Sequence, residues 1–303
     1  LYLPVSKKKR FMKLQAVESV SQITKEDFYK NYYKKQKPLL IKEFAKQWAD
    51  FDQWNFDYIK QKAKGQTVPI YNNKPADATK SSDTPALYMK MDEYIEEIQN
   101  QPSDKRIFFY MIKDRLPELL VNFTYPDLGM KFFKQIHTLF FGGSDARVLM
   151  HFDVDMSDFI HIHFEGKKRI LLFDQKQSAS LYRVPLSVHT IETIDYENPD
   201  YEKYPALKNA EGFEIFMEHG DLLYIPKGWW HFNRYLEPGF SMSMREMPSL
   251  LRFSNFVDMF YHVFIMRYTD KICRKIGQEK WIRYKEEWAR RNSEKVLKNL
   301  KKK

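Results

Sequence analysis

From Thr138 onward the chain is cut into short apolar runs separated by turn signals, and this pattern restricts it to a β-rich core. The runs cover residues 138–141, 148–152, 159–164, 169–173, 213–217, 222–225, 229–235 and 240–244. Between them stand Gly142-Gly143-Ser144-Asp145, Glu165-Gly166, His219-Gly220-Asp221 and Pro226-Lys227-Gly228. Glycine supplies left-handed backbone and proline removes an amide donor, so such clusters end strands. Many short strands at this spacing build a β-sandwich or barrel. Ahead of them, residues 24–36 read as a helix capped by Thr24 and stopped at Lys37-Pro38. Residues 39–41 read as a buried strand, 48–62 as helix, 67–71 as strand, 91–99 as helix and 106–112 as strand. Beyond Pro248 the apolar period becomes helical again, with Trp281, Tyr284 and Trp288 on one stripe.

Composition narrows the class further. A chain of 303 residues with 43% hydrophobic content can bury a sizeable core, so it is not a disordered chain. No apolar run approaches the ~20 residues that cross a bilayer, and residues 1–12 are too short and basic for an ordinary secretion signal. One cysteine, Cys273, permits no intrachain disulfide, which fits a reducing compartment and a cytoplasmic location. The net charge of +10 sits at the ends. Lys7, Lys8, Lys9 and Arg10 open the chain, ten Lys and Arg lie within residues 280–303, and residues 11–279 are close to neutral. Basic ends of this kind are either solvated faces or contacts for nucleic acid, a ribosome or another acidic partner.

The chemistry is carried by His151-Phe152-Asp153 and, some eighty residues later, by His231. Residues i and i+2 of a strand share a face, so His151 and Asp153 can converge on one ion. A third ligand from a neighbouring strand, the His231 imidazole, completes a facial set of two histidines and one carboxylate, which suits Fe(II) and leaves positions open. His-x-Asp alone is a common, weak signal. The element Gly220-Asp221-Leu222-Leu223-Tyr224-Ile225-Pro226 followed by Trp229-Trp230-His231 is far more specific.

Three stretches resemble the jumonji-C hydroxylases: HFDVDMSDFIHIHFEGKK from His151 followed by RILLF, YENPDY from Tyr196, and GDLLYIPKGWWH from Gly220. The similarity is strongest to the cupin-like group that includes protein-asparaginyl and tRNA wybutosine hydroxylases, and it covers most of residues 35–250. The resemblance implies a mainly β fold with a double-stranded β-helix (jelly-roll, cupin) core. That core is expected over residues 105–250, with N-terminal α/β elements over 1–104 and C-terminal helices with a basic tail over 251–303. It also implies Fe(II) on His151, Asp153 and His231, 2-oxoglutarate as cosubstrate, and O2 as oxidant. Lys168, counted from the Gly166 turn, matches the family lysine that grips the distal carboxylate of 2-oxoglutarate. Relatives often carry Thr and Asn where this chain has Val148 and Phe159. His161 and Arg245, which share inward faces with His163 and with Ser241 and Ser243, are therefore candidates for the remaining cosubstrate contacts.

The implied reaction is oxidative decarboxylation of the 2-oxo acid coupled to hydroxylation of a protein, RNA or small-molecule C–H bond. The alternatives are a jumonji-type demethylase, a metal-binding cupin without oxygenase activity, to which His161-Ile162-His163 would contribute, and an RNA-binding protein acting through its basic ends. The apolar residues Leu251, Phe253, Phe256, Met259, Phe260, Val263 and Phe264 are expected to form a helix face in a homodimer or against the chain's own barrel.

Overall fold

The computed structural model describes residues 12–74, 84–246 and 253–300. Its core is a pair of sheets between which the chain alternates. One has five strands in the order Lys13–Ala16, Glu211–Met217, Lys168–Phe173, Trp230–Tyr235 and Arg147–His151. The other has seven, in the order Ser19–Val20, Leu39–Ile41, Leu222–Ile225, Phe159–Glu165, Gly239–Glu246, Phe132–Gly142 and Arg106–Met111. Two short N-terminal strands pair in parallel and the others pair antiparallel, which gives the β-rich core expected from the run pattern, in the jelly-roll form that the resemblance implies.

The strands read as continuous apolar runs because both faces are covered. Along Phe159–Glu165, Ile160, Ile162 and Phe164 join the large cluster under the N-terminal elements, together with Trp48, Trp54 and Tyr94. Along Lys168–Phe173, Leu171 and Phe173 pack outward with Tyr196, Leu207 and Trp230. Ile170 and Leu172 face the interior, where they meet Phe159, Leu223 and Ile225 of the opposite sheet. The alternate positions that face the barrel interior, His161, His163, Lys168, Ser241 and Ser243, are polar and buried. A buried polar lining in a small barrel marks ligand space rather than packing.

Three helix expectations change in detail. Thr24 caps as expected, its Oγ accepting from the Asp27 amide at 3.1 Å, but the α-helix is only Lys25–Phe28 and continues as the wider turn Tyr29–Tyr33. That extra residue per turn lets Tyr32 and Tyr33 both point inward, where they donate to Glu18 and Glu246. Within residues 48–62 only Phe56–Lys62 is α-helical. Trp48 and Trp54 both turn into the core, with Trp54 stacked on Phe164 at 4.5 Å, and one straight helix cannot aim both there. At the C-terminus, Arg267–Leu300 is broken at Gln278, where φ is 43°. Asp270 accepts from Trp281 Nε1 at 2.8 Å and Lys285 Nζ at 2.6 Å. A helix rising about 1.5 Å per residue would hold Asp270 and Lys285 some 20 Å apart, so the chain folds back at this point. Lys7 to Arg10 and Leu251 lie outside the described residues.

Candidate active site

His151 and His231 are direct cross-strand partners, and their rings lie 4.1 Å apart, centroid to centroid. Each ring is held by a backbone carbonyl two residues earlier in the chain. His151 Nδ1 donates to Leu149 O at 2.8 Å and His231 Nδ1 to Trp229 O at 3.1 Å. A carbonyl can only accept, so the proton sits on Nδ1 in both rings and both Nε2 lone pairs stay bare. Asp153 lies in the turn after the strand rather than on the strand itself, its carbonyl accepting from the Met156 amide. That turn still delivers Asp153 Oδ1 to 3.7 Å from His151 Nε2 and 3.8 Å from His231 Nε2.

The electrostatics favour a cation at this point. Burial draws the His231 imidazole down to about 3 and lowers His151 as well, so both are neutral donors at physiological pH. Burial alone would raise the Asp153 carboxyl, but the adjacent Arg245 guanidinium outweighs it and holds it well below the usual carboxylate range. Two bare imidazole nitrogens and one anionic oxygen lie within 4.8 Å of one another. The donor set fits a divalent ion of the Fe(II) type, and no thiolate lies in it to favour structural zinc.

Deeper in the barrel lies a second constellation. Lys168 is 2% exposed; its Nζ donates to His161 Nε2 at 2.8 Å and lies 3.4 Å from the Tyr235 hydroxyl. Burial brings the ammonium down to about 7, and among the described residues no carboxylate pairs with it. His161 is driven well below its ordinary value by burial and by Lys168, so it acts as a neutral acceptor. Ser243 Oγ, opposite His161 across the sheet, is buried without a hydrogen-bond partner. Lys168 is in register with Tyr235, four residues along the strand from His231. At about 3.3 Å per residue that separates the two positions by roughly 13 Å, a span that an extended lysine and a five-carbon diacid bridge together.

The structure therefore brings Lys168 and His161 together and aims both inward. Arg245 also points inward but is committed elsewhere, with Nη1 2.9 Å from Asp153 Oδ2 and 3.1 Å from both oxygens of Asp155. His163 binds Ser241 Oγ and Gly166 O, so it does not join His161 in a separate metal set. Phe159 forms a wall of the site, edge-on to His231 at 5.7 Å and beneath the Arg245 guanidinium at 5.2 Å.

Sequence reasoning missed Asp155, Tyr235 and His189. Tyr235 was open to a period-two reading as the same-face neighbour of His231, whereas Asp155 lies in the turn after the His151 strand, where that period no longer applies. Tyr235 packs so tightly on Gly142 that an added Cβ there would come within 2.3 Å of its ring. His189, whose ring lies 5.9 Å from His151 and whose Nδ1 is buried without a partner, comes from a loop with no pattern to flag it.

A family model described as a cupin-like domain matches residues 25–245. The chain is 27% identical over 224 residues to lysine-specific demethylase 8 of Xenopus tropicalis, covering 72% of this chain and 50% of that protein. It is 26% identical over 238 residues to tRNA wybutosine-synthesizing protein 5 of Gallus gallus, covering 71% and 72%. It is 28% identical over 240 residues to JmjC domain-containing protein D of Dictyostelium discoideum, covering 71% and 53%. The chain thus spans about half the length of the first and third of these relatives and most of the second. With the family match running over all the strands that carry the site and over its two histidines and one carboxylate, the chain belongs to the cupin-like, jumonji-C family of 2-oxoglutarate oxygenases.

Proposed function

We propose that this chain is an Fe(II)- and 2-oxoglutarate-dependent dioxygenase that hydroxylates a protein or RNA substrate. The observation that carries the reading is a buried ammonium, Lys168, with no carboxylate partner among the described residues, inside the same barrel as a bare His151–Asp153–His231 donor set. A buried cation without a counter-charge is costly, and a dianionic cosubstrate supplies the missing charge. His151, Asp153 and His231 would hold the metal, while Lys168, with His161 accepting from it, would hold the distal carboxylate. When bound, Fe(II) with 2-oxoglutarate and O2 would supply an oxidative decarboxylation to succinate and carbon dioxide, one atom of O2 entering the succinate and the other the substrate C–H bond. The protein orients the donors through the two Nδ1–carbonyl bonds and walls the site with the Phe159 ring. A jumonji-type demethylase uses the same site on an N-methyl carbon.

The expected result is succinate release from 2-oxoglutarate by the purified chain with added Fe(II), slow without substrate. Release at the no-enzyme background, with Fe(II) shown to be bound, would leave a metal-binding cupin without oxygenase activity.

We further propose that the C-terminal helices pair two copies of the chain. Phe260 and Phe264 of the anticipated face are exposed, and Val257, Ile265, Tyr268, Ile272 and Ile276 extend the exposed apolar row. Trp288 and Tyr284 of the second stripe are exposed too, whereas Trp281 is drawn to Asp270. A row this long is costly to leave in water. Light scattering at micromolar concentration should give twice the 36.6 kDa of one chain; a single-chain mass that holds on concentration would rule pairing out. Lys280, Arg283, Arg291 and Lys295 on the last helix give such a dimer basic surfaces suited to an RNA or ribosomal substrate.

A further inference from the structure

We propose that Arg245 fixes Asp153 as a one-oxygen metal ligand, and that Asp155 is the counter-carboxylate that keeps Asp153 fit to bind. This rests on the metal reading above and deepens it. Three facts of geometry carry it. Arg245 Nη1 donates to Asp153 Oδ2 at 2.9 Å. The other oxygen, Oδ1, is left free and is the one that lies 3.7 and 3.8 Å from the two imidazole Nε2 atoms. Arg245 is itself held in place: it is 8% exposed, pairs across the sheet with Phe159, and stacks over that ring.

The chemistry gives this arrangement a purpose. A carboxylate can chelate one cation through both oxygens. An octahedral ion held by three protein donors keeps three positions, two for a chelating 2-oxo acid and one for O2. A two-oxygen Asp153 would close one of them. A charge-assisted hydrogen bond on Oδ2 withdraws that oxygen from competition. The same guanidinium, left alone, would drain charge from Asp153 and repel the incoming metal. Asp155 counters this, with both of its oxygens 3.1 Å from the same Nη1. Two carboxylates and one guanidinium leave one net negative charge facing the metal. Arg245 is thus a positioning residue for the metal ligand, and its neighbour Asp155 sets how strongly it pulls.

Mn(II) is the probe, because water-proton relaxation per bound ion counts the waters on it. Wild type, Arg245→Met and Arg245→Lys are compared as full chains, with Mn(II) affinity measured alongside. Arg245→Met should keep Mn(II) affinity within about threefold, since the second oxygen offsets any lost orientation, while relaxivity falls by about one third as one of three waters is displaced. Arg245→Lys, which still donates to Oδ2, should restore the wild-type relaxivity. Wild-type relaxivity in Mn(II)-loaded Arg245→Met, or no recovery in Arg245→Lys, overturns the assignment. So does a loss of 2-oxoglutarate affinity in Arg245→Met with relaxivity unchanged, which would make Arg245 a cosubstrate ligand. If Arg245→Met does not fold, Asp155→Asn decides. It retains Arg245, so it should keep wild-type relaxivity and bind Mn(II) roughly three- to tenfold more weakly; equal or tighter binding overturns the counter-charge role. Wild-type protein that does not bind Mn(II) at all defeats the metal reading itself, a separate outcome.

Discussion

His231→Ala is expected to abolish metal-dependent succinate release and to weaken Fe(II) or Mn(II) binding by more than about a hundredfold, beyond the ten- to hundredfold typical of losing an outer partner. His151→Ala should match it. The two rings are direct cross-strand partners at 4.1 Å, each aimed by its own carbonyl, so neither can substitute for the other. The fold should survive, because both strands keep their ladder bonds and the surrounding core of Phe152, Trp230 and Phe232 is untouched. Far-ultraviolet circular dichroism checks this, and titration calorimetry under anaerobic conditions reads the affinity. His163 gives the contrast: it is buried nearby but spends both nitrogens on Ser241 and Gly166. His163→Asn should therefore leave metal affinity within about twofold of wild type, given that direct ligands rather than neighbours carry most of the binding. Full turnover in either the His151 or the His231 variant, or equal losses in all three, would show the ligand assignment to be wrong.

The core strands were legible because they carry two independent signals, apolar runs and Gly or Pro turns, and these agree from residue 138 to 244. The interior polar positions were legible for the same reason: His161, His163, Ser241, Ser243 and Arg245 fall on one side of a period of two. The contacts those side chains make were not. Whether Arg245 meets a cosubstrate or Asp153 depends on the turn after His151, which takes Asp153 and Asp155 out of strand geometry, and no local pattern encodes where that turn ends. The helical breaks were hidden likewise. Trp48 and Trp54 read as helix residues until Phe164, more than a hundred positions on, claims the stacking face. The fold-back at Gln278 is fixed by Asp270 meeting Trp281 and Lys285, a tertiary preference that overrides the helical period on either side.

Lys168→Ala should raise the 2-oxoglutarate dissociation constant about ten- to a hundredfold, the equivalent of the roughly 1.5–3 kcal/mol that a hydrogen bond to a charged group contributes. Metal affinity should barely move, since Lys168 meets His161 and Tyr235 rather than any of the three ligands. The wild-type enzyme should also show a pH dependence of defined sign. Burial lowers the Lys168 ammonium to about 7 from its ordinary value of 10.5. Below pH 7 the free protein already carries the charge that a dianion needs, and cosubstrate affinity should be flat. Above pH 7 the proton must be taken up on binding, so affinity should fall by up to about tenfold per pH unit. The same depression acts on folding. Between pH 7 and 10.5 the unfolded chain holds a proton that the cosubstrate-free fold has released, so the stability contributed by Lys168 rises with pH across that window. Below pH 7 both states are protonated and the penalty of burying the ammonium is constant. Lys168→Arg separates charge from shape: arginine stays protonated throughout, so its affinity should be weaker at neutral pH but level from pH 6.5 to 9. Calorimetric binding of 2-oxoglutarate to the Mn(II)-loaded variants over that range makes the measurement. A level wild-type curve together with unchanged affinity in Lys168→Ala would pass the distal carboxylate to His161 or Arg245, and would remove the observation on which the cosubstrate reading rests.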